Sequence, residues 1–216
     1  MRCKVYSYLP AQTRQLREQI FVQEQGFQQE FDEIDEHCQH LLAFADPSER
    51  AGMDAPDLPQ NANTGERVES RGELQEPQAI ATARFFASTP SGEPLAADQA
   101  EGAATYTVGR VAVDQAWRGQ HIGTLVLATA EAAISQRGGQ TVVLHAQEQA
   151  QDFYHKQGYQ AFGERDFDED CPHVWMRKEL KSSSPHIQHM WPLGSRSGSA
   201  ASQAEPNAEN ARKSEE

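Results

Sequence analysis

One stretch constrains the fold more than any other. Thr105-Tyr106-Thr107-Val108-Gly109-Arg110-Val111-Ala112-Val113 reads as a strand. It breaks at Asp114 and passes through Trp117-Arg118-Gly119-Gln120-His121 into a helix from Ile122. Apolar residues at 122, 125, 126, 130, 133 and 134 follow helical spacing, and Arg137-Gly138-Gly139 stops the helix with a basic last turn and a glycine. A strand that turns sharply into a helix presents unpaired N–H groups and the positive end of the helix dipole. Gly119 and Gly123 let a ligand approach the backbone, and a pyrophosphate fits such a site. No acid falls between Asp114 and Glu131, and Arg118 is the only charge there, so the turn reads as kept clear for an external anion.

The rest of the chain supplies elements in an order that fits one α/β domain with a sizeable core. Residues 1–9 suggest an opening strand with Val5 buried. A helix is expected from about Thr13 to Gln25, with Leu16 and Ile20 marking its turns and Phe21 and Val22 widening its apolar face. His40–Ala45 and Ala79–Ala87 read as strands. Thr141–Ala146 is a short buried strand, Gln149–Gln157 a helix closed by Gly158, Tyr159–Phe162 a strand, and His173–Lys178 the last strand after an acidic turn at Glu164–Asp170. Strand-helix-strand-helix-strand order implies a parallel central pair with helices beside it.

Two stretches interrupt this order. Residues 46–77 carry eight acids against three bases and almost no large apolar side chain, so they read as a disordered insert. Residues 88–104 read as a second polar insert. The domain is therefore expected over 1–181, with a disordered, polar tail at 182–216. His186 and His189 in that tail could be two metal ligands, but no third is nearby in sequence, so solvated histidines are the expectation.

Net charge is −13 with pI ≈ 5.0. That balance argues against nucleic acid, which needs a basic face, and against an anionic membrane surface. No apolar run approaches a membrane span, and residues 1–7 hold no stretch of signal-peptide type. Cys3, Cys38 and Cys171 are odd in number and far apart, as free thiols in a reducing cytosol would be, and no Cys/His spacing for a metal is present. Cytoplasmic placement is the expectation.

Taken with its surroundings, the stretch Gly109–Val113 followed by Trp117-Arg118-Gly119-Gln120-His121-Ile122-Gly123 resembles the acetyl-CoA motif of the GNAT superfamily of N-acetyltransferases, Gln/Arg-x-x-Gly-x-Gly/Ala. Arg118 and Gly123 match its ends; His121 stands where glycine is usual. Phe153-Tyr154-His155-Lys156-Gln157-Gly158-Tyr159 resembles the Phe-Tyr-x-x-x-Gly-Tyr/Phe element of the same fold. Pro172-His173-Val174-Trp175-Met176, with Phe21–Gln25 and Asp32–Asp35, resembles the ElaA/YjcF-like branch. The resemblance covers about residues 3–180 outside the two inserts.

The resemblance implies a mixed α+β GNAT acyl-CoA N-acyltransferase fold. Its sheet would have six to seven mostly antiparallel strands, a parallel pair splayed at a bulge, and about four flanking helices. It implies acetyl-CoA as co-substrate, held by the backbone of Val111, Ala112 and Val113 at its pantetheine and of Arg118, Gly119, Gln120, His121, Ile122, Gly123 and Thr124 at its pyrophosphate. Gln147 would contact the pantetheine amides where many members carry Asn. Tyr154 matches the family's general acid. The base is open among Glu30, Asp32, Glu33, Asp35, His37, His145 and His173, with a water chain as another route. The acceptor would be an amine, small or on a protein, and a homodimer is compatible. Acidic segments 24–36 (six acids, no base) and 164–170 (five acids, one base) would draw a cationic amine. A non-catalytic acyl-CoA sensor of the same fold is the alternative.

Overall fold

The computed structural model describes residues 1–45 and 77–181. Within them a seven-stranded sheet runs in the order β1-β2-β3-β4-β5-β7-β6. The strands are β1 (Arg2–Tyr6), β2 (Gln39–Phe44), β3 (Ala79–Ala87), β4 (Thr105–Val113), β5 (Thr141–Gln147), β6 (Gln160–Asp168) and β7 (Cys171–Glu179). Every neighbouring pair is antiparallel except β4–β5. Three helices accompany the sheet: α1 (Ala11–Arg17), which continues as a π-helical turn Glu18–Glu24, α2 (Ile122–Gln136) and α3 (Gln151–Lys156).

Alternation along the strands sorts the sheet into two faces. Leu41, Ala43, Ile80, Ala81, Ala83, Phe85, Tyr106, Val108, Val142, Leu144, Ala146, Val174 and Met176 join Val126, Leu127, Ala130 and Ile134 of α2 in the main core. On the other face α1 lays Leu16, Ile20 and Phe21 against Ala112. Tyr159 is fully buried under α2, its hydroxyl donating to Glu131, which also receives Lys178 Nζ at 2.7 Å.

Two features of β4 open the sheet at its centre. It pairs with β5 only from Thr105–Thr107 to Thr141–Val143, after which the two strands part. Against β3, Gly109 faces Arg84 while Ala112 faces Thr82, so three residues of β4 span two of β3. That is a β-bulge, and it falls on Arg110, whose φ is +52.

Several expectations are corrected. Residues 88–104 do not form a loose insert. Ser88 bridges Pro94, Leu95 N–H donates to Ala87 O, Ala103 is buried, and Thr107 Oγ1 donates to Gly92 O, because Leu95, Ala100 and Ala103 have apolar surface to add to the core. Residues 164–168 belong to β6, paired with β7 up to Asp168–Cys171, and leave only Glu169 and Asp170 as the turn. Val5 is 37% exposed, since β1 is an edge strand. Three α-helices stand among the described residues, where about four were expected. All of the insert expected at 46–77 except residue 77, and the tail 182–216 with His186 and His189, lie outside the described residues.

Candidate active site

A cavity of about 110 Å³ sits where β4 and β5 part. Its walls are Val108–Val111 of β4, His145 and Gln147 of β5, Tyr154 of α3, His173 of β7, Asp168, and Phe21, Gln25, Phe27 and Glu30 from the α1 side. Three residues read from the sequence as chemical, Tyr154, His145 and His173, thus meet in one place. A second, open groove of about 560 Å³ shares Gln25, Phe27 and Gln147 with the cavity and runs out past Glu24, Glu169 and Asp170.

His173 is 5% exposed. Its Nδ1 lies 2.9 Å from Cys171 O. A carbonyl only accepts, so Nδ1 carries the hydrogen and Nε2 is left with a lone pair in the neutral ring. Burial pulls its pKa below the ordinary 6.5, the Cys171 carbonyl opposing, which favours that neutral ring at neutral pH. His145 leans on His173 with its ring tilted by 34° (centroids 4.6 Å apart) and stacks on Trp175 (4.7 Å, 19°), and its Nε2 lies 2.5 Å from Asp166 Oδ1. Tyr154 touches the rings of Phe153 and Tyr159. Burial pushes its phenol up to about 12, so the hydroxyl stays protonated.

The turn before α2 has the conformation that the sequence signals. Gly119 has φ +77 and His121 φ +60. His121 occupies the left-handed region, which accounts for glycine being usual at this place in the motif it resembles. The first helical bond runs from Leu125 N–H to His121 O, so the N–H groups of Ile122, Gly123 and Thr124 precede it. Gly123 packs edgewise on Phe153, at 3.4 Å from where a Cβ would stand.

Arg118 departs from the expectation. An acid does reach this turn, from a distant part of the chain: Glu24 takes both guanidinium nitrogens at 2.6 and 2.7 Å, and Arg118 Nε donates to Val113 O. The clearance of acids is a property of the local sequence and not of the space around it. Gln25 Oε1 accepts from Gln147 Nε2, and Gln149 donates to Gln147. The π turn of α1 therefore reaches both edges of the cleft.

The acidic segment 24–36 also differs from its reading. Arg17, fully buried, binds Glu30 and Asp35; Arg84 binds Asp32 and Asp35; Arg110 binds Glu30. Against the cost of burial, Arg17 and Arg84 hold the Asp35 carboxyl at about 2. Burial lifts Glu30 above its ordinary 4.5, with Arg110 and Arg17 opposing. Three carboxylates expected to draw a cationic amine, Glu30, Asp32 and Asp35, are neutralised by arginines from α1, β3 and β4. Arg84 inside an otherwise apolar strand was the available signal, because a buried arginine demands acids. Asp35, Cys38 and His40 lie close enough to suggest a metal, but Asp35 is already held by two guanidinium groups, which disfavour a cation. Glu33 and His37 take no part in the cavity.

Residues 82–180 match the GNAT acetyltransferase domain. The chain has a GNAT fold. Its likeness runs to the ElaA/YjcF-like branch. The uncharacterized N-acetyltransferase YjcF of Bacillus subtilis (strain 168) is 34% identical over 71 residues, 32% of this chain and 51% of that one. The crystal structure of Escherichia coli ElaA superposes with TM-score 0.55 at 23% identity, covering 82% of this chain and 99% of ElaA. An acyl-CoA N-acyltransferase of Pseudomonas aeruginosa superposes with TM-score 0.53 at 25% identity, covering 82% and 97%. The splayed pair, the bulge and the turn before α2 all lie within the matched residues 82–180. Among the described residues no helix is long and apolar enough to cross a membrane, and Cys3, Cys38 and Cys171 are free thiols.

Proposed function

We propose that this GNAT chain transfers an acetyl group from acetyl-CoA to an amine by direct attack. The observation that carries the reading is the opening between β4 and β5, with Tyr154 and His173 both on its cavity. Acetyl-CoA supplies the activated thioester. Backbone groups of Val111, Ala112 and Val113 would line its pantetheine, with Gln147 at the amides. The N–H groups of Gly119, Gln120, His121, Ile122, Gly123 and Thr124, with Arg118, would hold the pyrophosphate.

His173 is the base best supported, because its Nε2 keeps a lone pair in a cavity that favours the neutral ring. The ammonium first loses a proton to solvent, and Nε2 accepts the second proton from the neutral attacking amine as the N–C bond forms. Tyr154 then gives its phenolic proton to the thiolate as the C–S bond breaks. His145, held by Asp166, is the positioning neighbour that leans on the base.

The acceptor side keeps a negative balance at Asp168, Glu169 and Asp170, whereas Glu30, Asp32 and Asp35 are matched by arginines. A cationic amine entering along the open groove fits that distribution.

Release of free thiol from acetyl-CoA, measured with a panel of mono- and polyamines and lysine peptides, tests the proposal. Amine-dependent release is expected. Saturable acetyl-CoA binding with no release for any amine would leave the sensor reading; absence of binding would sink both.

A further inference from the structure

Arg110 adopts a backbone conformation that L side chains resist, with φ +52 at the bulge of β4. Such a residue persists where its surroundings over-determine it. Here the surroundings are specific. Arg110 Nε lies 2.9 Å from Glu30 Oε2. Nε and Nη2 also reach Glu30 O at 3.4 Å, and the guanidinium stands 5.9 Å from the Phe21 ring centroid. Glu30 is itself immobilised: it is 4% exposed, and Oε1 takes Arg17 Nε at 2.6 Å. Arg17 is anchored in turn on both oxygens of Asp35. A line of buried ion pairs therefore runs from α1 to the bulge.

β4 stops pairing with β5 after Thr107, and the bulge at Arg110 lies on the freed stretch of backbone just beyond. We infer that Glu30 is a positioning residue: its carboxylate holds Arg110 in the left-handed bulge and so keeps the backbone of Val111–Val113 open to the donor. This rests on the acetyl-CoA reading proposed above. Glu30 touches no reacting atom in this role, although it borders the cavity.

The two roles separate by rescue. Glycine takes φ +52 without a Cβ conflict, so it needs no carboxylate to hold it there. Coenzyme A affinity by calorimetry, acetyl-CoA KM and kcat, and Tm are measured for Glu30→Gln, Arg110→Gly, Arg110→Ala and the double variant Glu30→Gln/Arg110→Gly. Glu30→Gln is expected to raise the Kd for coenzyme A and the KM about tenfold while kcat stays within about twofold, the pattern of lost binding and not of lost chemistry. The double variant is expected to return both within about twofold of the wild type, and Arg110→Ala to remain weak.

An unchanged Kd in Glu30→Gln overturns the inference, as does a fall in kcat alone, which would make Glu30 a catalytic group. Failure of the double variant to recover binding while its Tm recovers also overturns it. If Glu30→Gln does not fold, Arg110→Gly against Arg110→Ala decides: equal weakening by both sinks the idea. A wild type that binds no coenzyme A fails at the earlier step and removes the acetyl-CoA reading itself.

Discussion

Arg118 and Glu24, 94 residues apart, meet in a two-pronged ion pair at the mouth of the cleft, with N···O distances of 2.6 and 2.7 Å. Arg118 lowers the Glu24 pKa, and Glu24 raises that of Arg118. The carboxylate thus occupies the guanidinium at the turn where the phosphates of a nucleotide would lie. Both side chains are more than a third exposed, so the pair itself stabilises little, within about 1 kcal/mol. Glu24→Gln frees Arg118 and removes a negative charge beside the proposed pyrophosphate site. Coenzyme A should bind about two- to fivefold tighter, with the gain shrinking as salt screens it. Titration calorimetry at two salt concentrations checks this. Weaker binding would instead make Glu24 the residue that aims Arg118.

Tyr154→Phe removes the proposed proton donor and little else, since the ring contacts with Phe153 and Tyr159 are retained. The expected result is a kcat lower by about 10²-fold with coenzyme A affinity nearly unchanged. Equal turnover would end the acid assignment.

His173 links activity and stability to pH. Its folded-state pKa lies below the ordinary 6.5 because burial penalises the charged ring, and His40 is shifted the same way for the same reason. Between each folded value and 6.5 the unfolded chain binds more protons than the native one, so native stability falls as pH drops below 6.5. Glu30, raised from 4.5 by burial, acts in the opposite sense from 4.5 upward, and Asp35 adds a further loss between 3.8 and about 2. Tm should therefore decline from pH 7 to 5.5, and less so in His173→Gln. The acid limb of kcat/KM should lie below 6.5 and vanish in His173→Gln, together with about 10²- to 10⁴-fold of rate. A limb that survives the substitution would move the base elsewhere.

His121→Gly tests the one departure from the motif. At φ +60 a side chain costs about 1–2 kcal/mol, and glycine gives back part of that as unfolded-state entropy, about 0.5–1 kcal/mol. A net gain of up to about 1 kcal/mol, or about 2–4 °C in Tm, is expected. His121→Val should lose stability. A fall in Tm for the glycine variant would mean that the imidazole makes a contact worth more than the backbone conformation costs.

What could be read from the sequence follows the range of the forces involved. Local periodicity located β3, β4 and α2 to within a residue or two, because one face of each is apolar and each ends in recognisable turn residues. The strand-turn-helix at Arg118 was equally legible, because its demands on backbone conformation are local. The partners of Arg118, Glu30 and Asp35 were not. Glu24–Arg118 and Arg17–Asp35 are set by how α1 crosses the sheet, and nothing in the local sequence encodes that crossing. Residues 88–104 show the same limit. Sparse apolar residues suggested no core, yet Leu95 and Ala103 suffice once Ser88–Pro94 closes the loop.

Gly92 ties that loop to the chemistry. A Cβ there would stand 2.2 Å from Trp175 Cη2 and 2.3 Å from Cζ3, at φ +93. Trp175 is a rigid ring stacked on His145, which leans on His173, so it has nowhere to yield without disturbing both histidines. Gly92→Ala should cost about 1–3 kcal/mol for the overpacked contact and about 1 kcal/mol for the backbone. Tm should fall by about 5–10 °C. The folded fraction should also lose kcat, through the displaced imidazoles. Gly102→Ala is the control, because Gly102 has a similar φ of +73 and nothing within 4 Å of its Cβ. It carries the backbone cost alone, so its Tm loss should be less than half as large and its kcat unchanged. Equal losses in the two variants would show that loop conformation, and not the contact with Trp175, is what Gly92 provides.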